Sequence, residues 1–190
     1  MDDIDAVAGY YALYAQGRLA KDQALAPMVV QQVALAEMSA RAFYLYRLIT
    51  LHAGTGLIDA LQKSAGVTDE LESRLRPGDW WERVVKTYVT IGMWSDALQT
   101  LASERYPDVE FDFGHQEWAA RLIEAGCAAD DRLSARLSLW GRRVNGDAVS
   151  AVRTVVHDYP ETLNVETETE LYHELREGHT LRMQRAGLAA

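Results

Sequence analysis

The sequence carries apolar residues at intervals of three and four along most of its length, and its prolines fall in the gaps between these stretches. Such spacing places apolar side chains on one face of an α-helix. The four prolines stand at residues 27, 77, 107 and 160, where each favours a helix boundary because proline has no backbone N–H to donate. No stretch of the sequence has the alternation of apolar and polar residues typical of a strand. The sequence therefore predicts an all-α protein.

The lengths of the predicted helices favour a bundle in one domain that spans residues 1–190. Helices are predicted at about residues 5–25, 28–53, 57–64, 80–103, 109–125, 130–158 and 167–184. Long helices joined by short loops are typical of a four-helix bundle. We expect a core bundle at about residues 5–125, with the later helices packed on its outside. The second helix is apolar on nearly every side, which predicts a central position for it.

Composition excludes several classes of protein. Of the 190 residues, 48% are hydrophobic, which is enough to bury a core without disulfides or metals. No apolar run approaches the roughly 20 residues that a membrane-spanning helix needs, so we expect no membrane partner. The lone cysteine, Cys127, has no second cysteine to pair with, and the first 20 residues do not resemble a secretory signal. These features predict a cytoplasmic protein.

The charge balance bears on the choice of partner. The formal net charge of -9 opposes non-specific binding to nucleic acid, because such binding depends on lysine and arginine at the phosphates. A nucleic-acid partner is therefore not expected, but tRNA stays open because a local basic face could be formed by Arg132, Arg136, Arg142 and Arg143. A homodimer is also open, and the aromatic start of the first helix is its candidate face, with Tyr10, Tyr11 and Tyr14.

The site chemistry best known for a helical bundle is a pair of irons, held by carboxylates and Glu-x-x-His pairs on inward faces. One carboxylate-x-x-His pair has a predicted helical context, Asp112 and His115, and Asp96 lies beside the apolar stripe of the preceding helix. The first helix has Arg18 on its inward stripe and no glutamate there. The residues thus offer an incomplete set of metal ligands.

Four segments of the sequence are distinctive: residues 76–80 (RPGDW), 114–117 (GHQE), 139–143 (LWGRR) and 179–183 (HTLRM). They resemble a family of ferritin-like proteins classed as similar to the tRNA-(2-methylthio-N6-isopentenyladenosine) hydroxylase. The resemblance covers nearly the whole chain from about Ala6 and is strongest from Arg76 onward. It implies a ferritin-like four-helix bundle with additional C-terminal helices and, in the parent hydroxylase, a carboxylate-bridged diiron centre that activates dioxygen.

The resemblance also implies where ligands would stand. Its first-helix glutamate falls on Arg18, its second-helix Glu-x-x-His falls on Ala42 and Leu45, and its third-helix acid falls on Asp96. Its fourth-helix acid and histidine fall on Asp112 and His115. Half of the ligand set is therefore replaced. An arginine that faces Asp96 or Asp112 would neutralise a buried carboxylate. We hypothesise that Arg18 takes over the electrostatic role of the lost metals.

Two functions follow from these expectations. The first is a non-catalytic ferritin-like protein with a degenerate metal site, no cofactor and a role in binding or assembly, whose binding residues are Arg18, Asp96, Asp112 and His115. The alternative is an active metal-dependent hydroxylase or oxygenase that acts on a modified tRNA nucleoside or a small molecule. It would use iron, with Asp96, Asp112 and His115 as the candidate ligands.

Overall fold

Helices account for most of the chain in the computed structural model, which describes residues 3–62, 66–159 and 165–190. Within these ranges there is no β-strand, so the prediction of an all-α fold is confirmed. The helices are α1 (Asp3–Leu25), α2 (Val29–Ala53), α3 (Leu57–Leu61), α4 (Val67–Arg74), α5 (Trp80–Ala102), α6 (His115–Cys127), α7 (Asp131–His157) and α8 (Val165–Arg185), with a 3-10 turn at Gly54–Gly56.

Most helix boundaries lie within a few residues of their predicted positions because their signals are local. Asp79 caps α5 by accepting a hydrogen bond from the Glu82 backbone N–H at 2.9 Å, and Asp130 caps α7 in the same way. Two features differ from the prediction: α4 was not predicted, and α6 begins at His115 and not near Val109. The predicted end of the short third helix and Pro160 both lie outside the described residues.

Helix α5 lies at the centre of the fold. It packs against α1, α6, α7 and α8, and every one of its residues from Val84 to Trp94 is buried. A helix buried around its whole circumference must accommodate polar side chains as well as apolar ones. Lys86, Thr87 and Thr90 are all fully buried in this segment.

Helix α2 lies at the edge of the described structure, so the prediction of a central position is wrong. It packs closely on α1 and the 3-10 turn that follows it, and it buries Leu35, Ala42 and Ile49 on that side. Its opposite side exposes large apolar residues, among them Tyr44 at 72% and Leu51 at 77%. A helix that is apolar on every side can be buried within its own chain or can expose one apolar face, and the sequence pattern does not distinguish the two cases.

The predicted dimer face on α1 is also wrong, because its tyrosines pack inside the chain. Tyr11 is fully buried and Tyr10 is 8% exposed, and both rings pack on Trp94. Tyr14 is half-buried. Aromatic side chains with a hydroxyl are often buried when that hydroxyl finds a partner, as the Tyr11 hydroxyl does by donating to the Phe111 carbonyl at 2.5 Å.

A membrane-spanning helix would need a long apolar window. None of the helices in the described part of the chain has one.

Candidate functional site

The inward face of α1 carries an arginine and an aspartate one turn apart, Arg18 and Asp22, and both are at least 97% buried. Arg18 Nη2 lies 3.3 Å from Asp22 Oδ1. Arg18 Nε donates to Thr87 Oγ1 at 2.9 Å, and its Nη1 donates to Glu72 Oε2 at 2.7 Å. Arg18 therefore points inward, as the sequence predicts. The carboxylates that it neutralises are Asp22 and Glu72, and not Asp96 or Asp112 as we hypothesised.

A second buried cation, Lys86, meets the same glutamate. Lys86 Nζ lies 3.0 Å from Glu72 Oε1 and donates to the Leu75 carbonyl at 2.7 Å. Burial lowers the pKa of Lys86 to about 8, and the Arg18 charge acts in the same direction while Glu72 opposes it. Burial alone would raise the pKa of Glu72, but Arg18 and Lys86 outweigh burial and hold that pKa below its usual value.

Asp22 has a second cation and a hydroxyl around it. Arg83 Nη1 lies 3.5 Å from Asp22 Oδ1, and the Thr87 hydroxyl donates to Asp22 Oδ2. Burial raises the pKa of Asp22, while Arg18, Thr87 and Arg83 work against that rise.

We call this group the buried ion-pair cluster, and it consists of Arg18, Asp22, Glu72, Arg83 and Lys86. It joins α1, α4 and α5 in the interior with three cations and two carboxylates. A surplus of positive charge disfavours a metal dication at this place.

Asp96 pairs with an arginine of α8. Arg182 Nη2 donates to Asp96 Oδ2 at 2.5 Å, and Arg182 Nε donates to Gln116 Oε1 at 2.9 Å. Arg182 is 5% exposed. Burial raises the pKa of Asp96 and the Arg182 charge opposes this rise. The Asp96 carboxylate of α5 is thus held by a guanidinium of α8.

Two glycines make room for the Asp96–Arg182 pair. A Cβ atom on Gly178 would lie 2.1 Å from Asp96 Oδ2, and a Cβ atom on Gly92 would lie 1.9 Å from Arg182 Nε. Both distances are far inside van der Waals contact. The close approach of α5 and α8 around this ion pair therefore depends on glycine at both positions.

Asp112 and His115 do not form a carboxylate-x-x-His pair on a helix, so that prediction is wrong. Phe113 has φ 58° and Gly114 has φ 79°, and this left-handed backbone prevents a helix from starting before His115. Asp112 Oδ1 accepts a hydrogen bond from the Gly114 N–H at 2.9 Å, which is the usual behaviour of an aspartate in a turn. The three-residue spacing consequently carries no information about a shared helix face.

His115 is buried, and among the described residues no carboxylate contributes to its pKa. It is 1% exposed, and its Nδ1 atom is buried without a hydrogen-bond partner. Burial, together with the nearby charge of Arg18, lowers the pKa of His115 to about 3. The ring is therefore neutral at physiological pH.

The four predicted site residues are thus divided between separate environments. Arg18 belongs to the buried ion-pair cluster, Asp96 pairs with Arg182, Asp112 lies in a turn, and His115 lies in the core beside Trp118. In the described ranges no three histidine, cysteine, aspartate or glutamate side chains come together as metal ligands do. The residues present therefore do not fit a diiron centre, which needs carboxylates that bridge two metals and are not already neutralised by arginine.

An open cavity of about 480 Å³ lies beside Asp112, in the size range of small-molecule sites. Its lining residues are Tyr88, Asp112, Gln116, Glu117, Ala120, Arg121 and Arg185. Gln116 connects this cavity to the Asp96–Arg182 pair through its contact with Arg182. The cavity thus presents both signs of charge to a ligand.

The partners of these residues were not found by sequence reasoning. Asp22 follows Arg18 by four residues, and this spacing is a readable signal of an ion pair on one helix face. Glu72, Lys86 and Arg182 come from distant segments and have no local signal. Lys86 stands in the apolar stretch of α5, where a charged residue surrounded by apolar ones indicates a buried, paired group.

The basic face suggested by the sequence is partly neutralised within the chain. Arg136 donates to Asp79 and to Glu82 at 2.6 Å each. Arg142 donates to the Ala189 carbonyl at 3.3 Å, and Arg143 lies over the Trp140 ring. Arginines already paired in this way release less free energy on meeting phosphates.

The all-helical bundle packed around α5 fits the ferritin-like class of folds. The sequence belongs to a family described as the ferritin-like domain of actinomycetes, which it matches over residues 1–165. The matched range includes α1 to α7, and Arg182 lies beyond it. No curated protein matches the sequence.

Proposed function

We propose that this protein is a non-catalytic member of the ferritin-like family, which works in the cytoplasm through binding or assembly and keeps its fold without a metal centre. The observation that carries the proposal is that arginines neutralise its inward carboxylates. Arg182 neutralises Asp96, and Arg18 lies between Asp22 and Glu72. Arginine side chains thereby neutralise the buried carboxylates, as metal ions do in a diiron bundle.

The second helix supports the same proposal. Ala42 and Leu45 stand where the resemblance to the tRNA hydroxylase would put a glutamate and a histidine. They are 0% and 6% exposed on the face of α2 that packs on α1. Apolar side chains in this position contribute packing and no metal ligand, so two of the six ligand positions are replaced by hydrophobic contact.

Elemental analysis of protein expressed in iron-supplemented medium tests this proposal. We expect substoichiometric metal and an unchanged circular dichroism spectrum after chelation. Close to two irons per chain would contradict the proposal and favour an active hydroxylase that acts on a modified tRNA nucleoside or a small molecule. One retained ion that is lost in the variant Asp112→Asn/His115→Gln would contradict it too, in favour of a mononuclear site.

A further inference from the structure

The exposed side of α2 has the spacing of a coiled-coil seam. Its exposed residues recur at alternating intervals of three and four, which is the pattern that lets two helices pack along their whole length. Seven residues form this seam, and all of them are exposed: Val30, Val33, Glu37, Ala40, Tyr44, Arg47 and Leu51.

Five of the seven seam residues are apolar or aromatic, and the seam is long. It runs about 32 Å along the helix, at 1.5 Å per residue, and Val30, Tyr44 and Leu51 are 67%, 72% and 77% exposed. With a width of about 10 Å it covers roughly 300 Å² in projection, the size at which an exposed apolar patch on a monomer is commonly functional. Phe43 and Leu48 widen it on both flanks.

We propose that this seam pairs with the same seam of a second copy of the chain, in antiparallel orientation, and forms a homodimer around a two-fold axis at the level of Ala42. The charged residues of the seam favour a second copy of the chain as the partner, and they favour the antiparallel orientation. Glu37 and Arg47 are each five residues from that axis, so the antiparallel arrangement brings Glu37 of one copy opposite Arg47 of the other, twice per dimer.

The sizes of four further seam residues fit the same register. Ala40 lies opposite Tyr44 of the second copy, so a small side chain faces a large one. Val33 lies opposite Leu51, so two apolar side chains meet at each end. A shift by one heptad would place Glu37 opposite Ala40 and leave Arg47 opposite Val30.

A parallel dimer does not satisfy the charges. It would place Glu37 against Glu37 and Arg47 against Arg47, and like charges at a seam cost association free energy. An unrelated partner would not require that the seam from Val33 to Leu51 be complementary to itself about Ala42, its midpoint. This self-complementarity is the requirement of an isologous two-fold interface.

The proposed dimer interface is separate from the buried ion-pair cluster, so the test of the dimer does not depend on whether the protein binds metal. Sedimentation velocity of the full chain is the primary test. We expect a dimer that is weakened at least about tenfold in dissociation constant by Glu37→Arg or by Arg47→Glu, because each change sets two like-charge pairs at the seam. The charge exchange Glu37→Arg/Arg47→Glu is expected to restore the dimer.

A matched control adds the same charge elsewhere. Glu117 is an exposed acid on α6, with 77% of its side chain accessible, and Glu117→Arg is expected to leave the dimer unchanged. Circular dichroism checks that each variant keeps its helical content. A monomeric wild-type chain overturns the proposal, including the case in which another protein covers the seam. A dimer that is indifferent to both single changes also overturns it.

Cysteine cross-linking tests the orientation directly. The double variant Val33→Cys/Leu51→Cys is expected to give a covalent dimer under mild oxidation, because the two positions meet in the antiparallel register. Val33→Cys or Leu51→Cys alone is expected to give none, because each position lies about 27 Å from its own copy across the axis. Cross-linking of either single variant with itself would indicate a parallel dimer and overturn the proposal.

Discussion

Replacing Arg18 by alanine is the perturbation that most directly probes the buried ion-pair cluster. The change removes the hydrogen bond to Thr87 at 2.9 Å, the bond to Glu72 at 2.7 Å and the ion pair with Asp22 at 3.3 Å. Asp22, which is 98% buried in the wild type, is left with a weakened set of partners. An uncompensated buried carboxylate is one of the few causes of a large loss in stability.

The remaining cations limit the size of the effect. Arg83 is still 3.5 Å from Asp22, and Lys86 is still 3.0 Å from Glu72. Breaking a buried ion pair by removing one partner costs about 3–5 kcal/mol, so we expect a loss at the lower end, about 3 kcal/mol. For a domain of this size that loss corresponds to a decrease in Tm of roughly 6–12 °C.

The loss should also depend on pH. Without Arg18 the pKa of Asp22 rises further above its unfolded value, so the folded state holds a proton that the unfolded state releases. Stability from such a group is present below the unfolded pKa and is lost as pH rises through the folded pKa. The deficit of Arg18→Ala is therefore expected to be larger at pH 7 than at pH 5.

Urea denaturation followed by circular dichroism measures these differences, with Arg121→Ala as the matched control. Arg121 lies 3.3 Å from Glu117 in an exposed pair on α6, and such pairs contribute about 0–1 kcal/mol. The double variant Arg18→Ala/Asp22→Ala should lose less than the sum of its single changes, because the two residues share one interaction. A loss no greater than that of Arg121→Ala would refute the reasoning.

Two further changes test other parts of the interior. Gly178→Ala places a Cβ atom 2.1 Å from Asp96 Oδ2, so it should lower the free energy of unfolding by about 1–3 kcal/mol; the control Gly146→Ala, with open space around it, should be neutral or stabilising. Burial lowers the pKa of His179 to about 4, so the wild type should lose stability as pH falls below 6.5. His179→Leu should reduce that loss by about 1–2 kcal/mol at pH 5. The matched change at the exposed His173, His173→Leu, should not reduce it. Equal acid sensitivity of the two variants would contradict the prediction.

The sequence predicted those parts of the fold that depend on local signals. The caps at Asp79 and Asp130 and the three- and four-residue spacing of α7 are encoded within one helix, so the boundaries of α5 and α7 came out nearly as expected. The start of α6 was missed because Phe113 adopts φ 58°. A non-glycine residue in that conformation has no sequence signal, since only its tertiary contacts hold it there.

The candidate site was predictable in one part only. Burial of Arg18 followed from its position on an apolar stripe, and Asp22 was readable from its spacing. Glu72, Lys86 and Arg182 could not be assigned, because their contacts depend on how α4, α5 and α8 pack in space.

Thermal unfolding with and without iron(II) under anaerobic conditions tests the central claim that side chains, and not metal ions, balance the charge inside this bundle. A ligand that binds the folded state at 100 times its dissociation constant stabilises it by about 2.7 kcal/mol. We predict the same Tm in excess iron(II), in excess chelator and in buffer alone. A rise in Tm with iron(II) that chelation reverses, and that disappears in Asp112→Asn/His115→Gln, would contradict the claim.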